Sequence, residues 1–522
     1  MVEKDFLLKA LLCHNYLPTA RRAKEELPPF FNTERFTPDV ARELVKISYR
    51  KGAFSGYDQV EYKLTRFNSV SRLLSVPHPL PYANLCLALH DNWEQFEYIV
   101  NSPSSQIKPQ TYTDGRVIVM NGYGDSVEKA NKQLNGAFGM RYRVTTDIAN
   151  CFPSIYSHAV PWALVGFEEA KAKRGRSHAG EWFNQIDKHL RLCKRDETQG
   201  VAIGPATSSI IAEAILGRVD EELLKQNFRF VRYIDDYCCH CETEERAQDF
   251  VRAVEREAAK FKLQLNIKKT EFARLPQPVT DSWVVELGRQ VPPKDSEWSA
   301  FEVFRYLDYA VALAERHPEG SVLKFAANIV ANAKLDFMGN IGALNYLLTL
   351  AFHRPELLPV LTRLIEAGYI NFGDCMLDRY ESSAKLNRIA QENARLQRSD
   401  GMCWSLFHLG RLGAQVSDET ANAIVASRDA MAMLALWWAS DAHRGLVVDF
   451  SLDKTDLYEL DRYWILLYQL FLGGDIDNPY PYDDKVFETL KEWDVDFLRP
   501  RDEFLPKEPM PEAGDGVQEI VV

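Results

Sequence analysis

A mixed α/β (α+β) unit over roughly the first 290 residues, followed by an all-α helical-repeat unit, is the fold class that the sequence predicts. Three observations predict it. Strand-like runs are concentrated before residue 285 and alternate there with helical stretches. After Pro292-Pro293 the pattern becomes a succession of amphipathic helices. Charge divides at the same place: residues 301–522 hold 21 Lys+Arg against 35 Asp+Glu, a net of −14, which leaves +2 for residues 1–300.

In the first unit the strand-like runs are 117–120, 141–148, 228–234 and 282–287, and the helical stretches between them include 208–226 and 243–261. A polar linker begins at Pro292. Helices are then expected at 300–316, 321–333, 342–352, 357–367, 402–412, 418–427, 429–440 and 454–472, an array of the HEAT or armadillo kind without a strict period. The tail from Pro506, with KEPMPEAGDG, has a disordered composition. The expected division is therefore 1–290, 296–505 and a tail over 506–522.

At 522 residues the chain is too long for one core. Its 46% hydrophobic and 26% charged composition is that of a soluble protein. Charges run through the first 27 residues, so no secretory leader is expected there. The most apolar later stretch, 337–352, contains Gly and Asn and falls short of the roughly 18 to 20 residues that a membrane span needs. No membrane partner and a cytoplasmic location are expected. Nine cysteines, odd in number and irregularly spaced, suit reduced thiols better than disulfides. A polyanion could lie on the first half, and the second repels it unless a local basic strip intervenes.

The strongest local signal is FVRYIDDYCCHC at 230–241. Two adjacent acids interrupt an aromatic and β-branched run, which places Ile234-Asp235-Asp236 at a hairpin tip. Alone, such a pair is usually just a turn. A second strand, RYRVTTDIANCFPSIY at 141–156, ends its alternating run in Asp147. Three carboxylates from neighbouring strands suit two hard cations, Mg²⁺ or Mn²⁺, which take oxygen ligands and leave places for phosphate and water. The run Cys238, Cys239, His240 and Cys241 does not make a zinc site, because alternate residues of a strand face opposite sides.

In these segments the chain resembles the reverse transcriptases. Asp-Ile-Ala-Asn-Cys-Phe at 147–152 matches their first palm motif and Tyr-Ile-Asp-Asp at 233–236 their Tyr-x-Asp-Asp motif. IGPATSS at 203–209 is similar to the Gly-x-x-x-Ser segment, and LQLNIKKTEF at 263–272 to the Lys-Thr motif that follows. The resemblance implies a right-hand-type palm and fingers before the helical-repeat domain. It implies metal ligation by Asp147, Asp235 and Asp236, with Ile148 in the metal set, and proton donation by Lys269. It implies a steric gate at Phe152 that selects deoxynucleoside triphosphates, and nucleotide or template contacts at Gly204 and Ser208. Upstream, 65–85 resembles the fingers. Lys108, Arg116 and Arg72 are candidates for the triphosphate, which needs two or three cations besides its metals.

Two departures narrow the resemblance. Ile203 stands where most reverse transcriptases have Gln, and no basic helical thumb follows residue 275. A palm leading directly into a long helical domain is similar to the bacterial abortive-infection reverse transcriptases, the AbiK-like group and its prophage-encoded relatives. Membership implies antiphage defence, DNA synthesis without a template, a single-stranded DNA product attached to a tyrosine, and a homo-oligomer. Tyr16, Tyr49, Tyr57 and Tyr62 are the priming candidates, as residues before the fingers on a flexible segment. A templated retron-like or intron-like enzyme and a catalytically idle scaffold are the alternatives.

Overall fold

The computed structural model describes residues 2–17, 26–52, 54–66, 70–119, 126–293, 296–372, 379–453, 455–480 and 485–505. At its centre is a four-stranded antiparallel sheet in the order β4-β5-β3-β6, with β3 at Tyr142–Asp147, β4 at Phe230–Tyr233, β5 at Asp236–Cys241 and β6 at Glu271–Arg274. Helix Glu244–Ala259 covers β3 and β5 and packs against helix Ala206–Lys225, which is buried along most of its length. A separate hairpin, β1 (Gln59–Thr65) and β2 (Ser71–Pro77), pairs Thr65 with Ser71 and Gln59 with Pro77.

The alternation of β5 is the one expected from the sequence. Cys239 and Cys241 are buried with sulfurs 3.6 Å apart, while Cys238 and His240 face the other side. The described cysteines are free thiols.

Two expected strands are absent. Val117, Ile118 and Val119 are buried but irregular, because the Val117 N–H donates to Asn15 Oδ1 at 2.8 Å and not to a sheet partner; Met120 lies outside the described residues. The run 282–287 is part of a helix, Ser282–Gly288. A short apolar run does not by itself distinguish helix from strand. Here docking decides: Trp283 meets Phe325 edge-on, and Glu286 accepts from Tyr309 and Arg316 of the next helix.

Beyond residue 296 the helices stack in two rows. Ala300–Arg316, Phe337–His353, Arg379–Arg395 and Asp418–Ser427 form one, and Val322–Ala331, Leu358–Phe372, Ser399–Arg411 and Ala430–Ala439 the other. Helix Arg379–Arg395 was not anticipated, being polar and weakly periodic. The expected helix at 454–472 is two, Leu457–Arg462 and Trp464–Gly473. The expected tail, 506–522, lies outside the described residues.

The two units share their core. Trp464 Nε1 donates to the Val76 carbonyl, Phe30 stacks on Trp438 with centroids 4.3 Å apart, and Lys63 N–H and Thr65 N–H donate to Ser399 and Asp400, each at 2.8 Å. Near its end the chain returns to its beginning: Asn32 N–H donates to the Phe497 carbonyl, and Arg499 N–H to that of Phe30. No helix among the described residues is long and apolar enough to cross a membrane.

Candidate active site

β4 and β5 are joined by two residues, Ile234 and Asp235, with Tyr233 facing Asp236 across the hairpin. Ile234 has φ +59, a position where such turns favour glycine and where a β-branched residue is strained. One strand further in, Asp147 ends β3 directly opposite Asp236, and Ile148 N–H donates to the Asp235 carbonyl at 3.2 Å. Sheet register thus brings Asp147, Asp235, Asp236 and Ile148 together.

Electrostatics follow from that crowding. Burial, and then the Asp147 and Asp236 charges, push the Asp235 carboxyl up to about 6. Asp236 is raised by burial and by Asp147, against the pull of Lys269 and Lys129. Asp147 is 4% exposed; its Oδ2 accepts from Lys269 Nζ at 2.5 Å, and its Oδ1 is buried with no hydrogen-bond partner. Bonding to Asp147 in turn raises the Lys269 ammonium.

Lys269 is placed by a short 3-10 turn, Ile267–Lys269, fastened to β3 by the Asn266 N–H on the Asp147 carbonyl at 2.7 Å and by Thr146 against Thr270. Among the described residues no three His, Cys, Asp or Glu side chains form a ready-made metal cluster. The Lys269 ammonium on Asp147 takes up part of the negative charge that a metal ion would share.

The other expected residues separate into near and far. Phe152 lies in a short helix, Cys151–Ser154, just past Asp147, and is 6% exposed. Gly204 has φ +134, which suits glycine, beside an Ile203 carbonyl that accepts from the Ser75 N–H of β2. Ser208, in the first turn of Ala206–Lys225, is buried and lines a small void with Gln59, Pro77 and Tyr82, on the core side of its helix. Arg72 of β2 is close enough to Asp235 for the carboxylate to act on its guanidinium, and no described residue forms an ion pair with it. Lys108 donates to the Ser102 carbonyl instead. Arg116 is held by Asp114 at 2.6 Å and lines a cavity with His14, Glu34 and Arg499.

The four tyrosines require correction. Tyr16, Tyr57 and Tyr62 are at most 1% exposed, and Tyr49 is half-buried with its hydroxyl 2.8 Å from His189 Nδ1. Tyr16 donates to the Pro77 carbonyl and Tyr62 to that of Glu26. Tyr16, Tyr57 and Tyr62 are core residues, and Tyr49 packs at the edge of that core with its hydroxyl already engaged.

Three residues escaped notice in the sequence. Lys129, in helix Ser126–Ala137, stands over the Tyr233 ring at 5.0 Å and acts on Asp236. Arg66 lies diagonal to Arg72 on the same face of the β1–β2 hairpin. Arg232 is buried beneath the Ile234-Asp235 turn; a charged residue at an inward strand position, with two acids seven residues apart on the preceding helix, is the signal that could have found it.

Two carboxylates on adjoining antiparallel strands and a third in the turn beside them, with a lysine on one and an arginine near another, make the palm of a nucleotidyltransferase. The reverse transcriptase (RNA-dependent DNA polymerase) family matches residues 90–311, and the chain therefore carries a reverse transcriptase domain. No curated protein matches the sequence. Among solved structures, apo telomerase from Candida tropicalis truncated from its C-terminal domain is 13% identical, with 47% of this chain and 55% of that one covered and a TM-score of 0.29. Apo telomerase from the same organism is 12% identical, covering 78% and 71%, with a TM-score of 0.29. That telomerase in complex with a telomeric RNA fragment is 11% identical, covering 81% and 69%, with a TM-score of 0.31. The chain thus spans about half the length of the first of these and about 70% of the other two.

Proposed function

We propose that this chain is a DNA polymerase of the reverse-transcriptase type, acting without a template and primed by protein, in antiphage abortive-infection defence in a bacterial cytoplasm. The observation that carries the polymerase reading is the register that sets Asp147 opposite Asp236 with Asp235 at the turn between. The residues fit divalent cations: Asp147 Oδ1 is buried without a partner, and Asp235 resists ionisation beside two like charges. Asp147, Asp235 and Asp236, with the Ile148 backbone, would hold two Mg²⁺ or Mn²⁺ ions. Bound there, such ions acidify an attacking hydroxyl and neutralise phosphate charge.

The chain's own groups do the rest. Arg72, with its donors free of ion pairs, binds the triphosphate. Lys269, held beside the turn by Asp147, supplies the ammonium that protonates the departing pyrophosphate. Phe152 crowds the sugar's 2′ position and so admits deoxynucleotides. Gly204 allows close approach of backbone to nucleotide.

Synthesis without a template is supported by the acidity of the helical unit, read here as HEAT-like, which follows β6 where a basic thumb would grip a duplex. A homo-oligomer belongs to this reading, since Phe301, 74% exposed, and Met338 leave apolar surface on that unit. Templated, RNA-directed synthesis is the second reading, favoured by the burial of Tyr16, Tyr57 and Tyr62. Purified protein given labelled deoxynucleotides, with and without an RNA template, separates them. Label that stays on denatured protein without template supports the first; free, template-dependent product supports the second; no incorporation in either arm overturns both.

A further inference from the structure

Arg232 has no exposed surface. Its Nε donates to both oxygens of Asp220 at 3.1 and 3.0 Å, and Nη1 and Nη2 donate to the two Glu213 oxygens at 2.7 and 3.0 Å. Nη1 also donates to the Ile234 carbonyl at 2.7 Å. Ile234 is the strained residue of the catalytic turn, and the next residue is Asp235. Glu213 and Asp220 lie two turns apart on one face of helix Ala206–Lys225, and Asp220 also accepts from Ser104 and Tyr237.

A buried ion network is a poor way to gain stability alone, since apolar replacements of similar volume are often neutral or better. A network that ends on the carbonyl of a strained turn has a geometric consequence as well. Strain of this kind persists only where the surroundings over-determine it. We propose that Arg232 is a positioning residue for nucleotide transfer: clamped by Glu213 and Asp220, it holds the Ile234 carbonyl, keeps the turn in its left-handed conformation and thereby aims the Asp235 carboxylate.

This rests on the polymerase reading, and the test keeps the two apart. The variant R232M/E213Q/D220N removes the guanidinium together with both facing charges, so that no carboxylate is left uncompensated. It is expected to keep its circular dichroism spectrum, to lose about 100-fold in kcat with KM for deoxynucleotide changed less than about threefold, and to bind Mn²⁺, read by electron paramagnetic resonance, about tenfold more weakly. Adding I234G should restore about tenfold in kcat and most of the Mn²⁺ affinity, because glycine takes positive φ without the arginine's help.

A merely structural arginine would not be rescued by a glycine in the turn. Parent-like kcat and Mn²⁺ affinity in the triple variant, or no rescue by I234G, overturns the proposal. If the triple variant does not fold, R232K with and without I234G gives the same reading, since an ammonium lacks the fork that spans both acids and the carbonyl. A parent protein that incorporates no nucleotide counts against the polymerase reading alone, and Mn²⁺ affinity then decides on Arg232.

Discussion

Lys269 Nζ lies 2.5 Å from Asp147 Oδ2, so the lysine just before β6 closes on the carboxylate that ends β3. The ammonium and any metal ion compete for one oxygen. Lys269→Met is expected to tighten Mn²⁺ binding severalfold while lowering kcat about 100-fold through loss of the proton donor. Titration with Mn²⁺ beside steady-state incorporation checks both. Weaker metal binding in the variant would mean that Lys269 organises Asp147 rather than competing for it.

Asp235 carries a pH signature. Its folded value, raised to about 6, lies above the ordinary carboxylate value near 3.9, so its contribution to stability is full below about pH 4 and lost as pH rises through about 6. Asp235→Asn removes that loss. Without divalent metal the variant should be about 1–2 kcal/mol more stable than the parent at pH 8 and equal to it near pH 4, while incorporation disappears. Melting curves at the two pH values decide, and equal differences at both would remove the explanation by burial and like charge.

Phe152 is 6% exposed, so truncation has two consequences. Phe152→Ala is expected to cost about 3–5 kcal/mol of stability and to reduce the preference for deoxy- over ribonucleotides at least about tenfold by opening space at the 2′ position. Competition between the two nucleotide types at a temperature where the variant remains folded measures the second effect. Unchanged selectivity would leave Phe152 as a core residue only.

The units are joined by a buried ion pair. Arg50 meets Asp461, whose side chain is wholly buried and also accepts from the Asp58 N–H and the Tyr480 hydroxyl. Arg50→Met leaves that carboxylate without its cation and is expected to cost about 3–5 kcal/mol. Because the core is continuous, scanning calorimetry of the parent should give one unfolding transition. Two separated transitions would show that the units fold independently.

Much of the site was legible because its chemistry is local. Asp235 and Asp236 are adjacent in sequence, Asp147 closes an alternating run, and a two-residue loop between strands implies a hairpin; helices 300–316 and 418–427 follow directly from apolar period and caps. The failures also have local causes. Runs such as 117–120 and 282–287 contain too few residues for periodicity to separate helix, strand and buried loop. Helix Arg379–Arg395 gains its stability from packing, not from an apolar stripe.

By itself, then, the sequence determined the carboxylate set, the order of the palm segments, the α/β-to-α transition and the acidity of the second half, all carried by neighbours along the chain. Only the tertiary structure decided which cations stand by the carboxylates, with Lys269 on Asp147 and Lys129 and Arg72 close enough to act on Asp236 and Asp235 while Lys108 and Arg116 are engaged elsewhere, and that Tyr16, Tyr57 and Tyr62 are core residues. A lysine or tyrosine carries no local mark of its partner. Register, helix docking and the burial of one unit against the other assign that partner, and those depend on residues hundreds of positions apart, as Arg50 and Asp461 are.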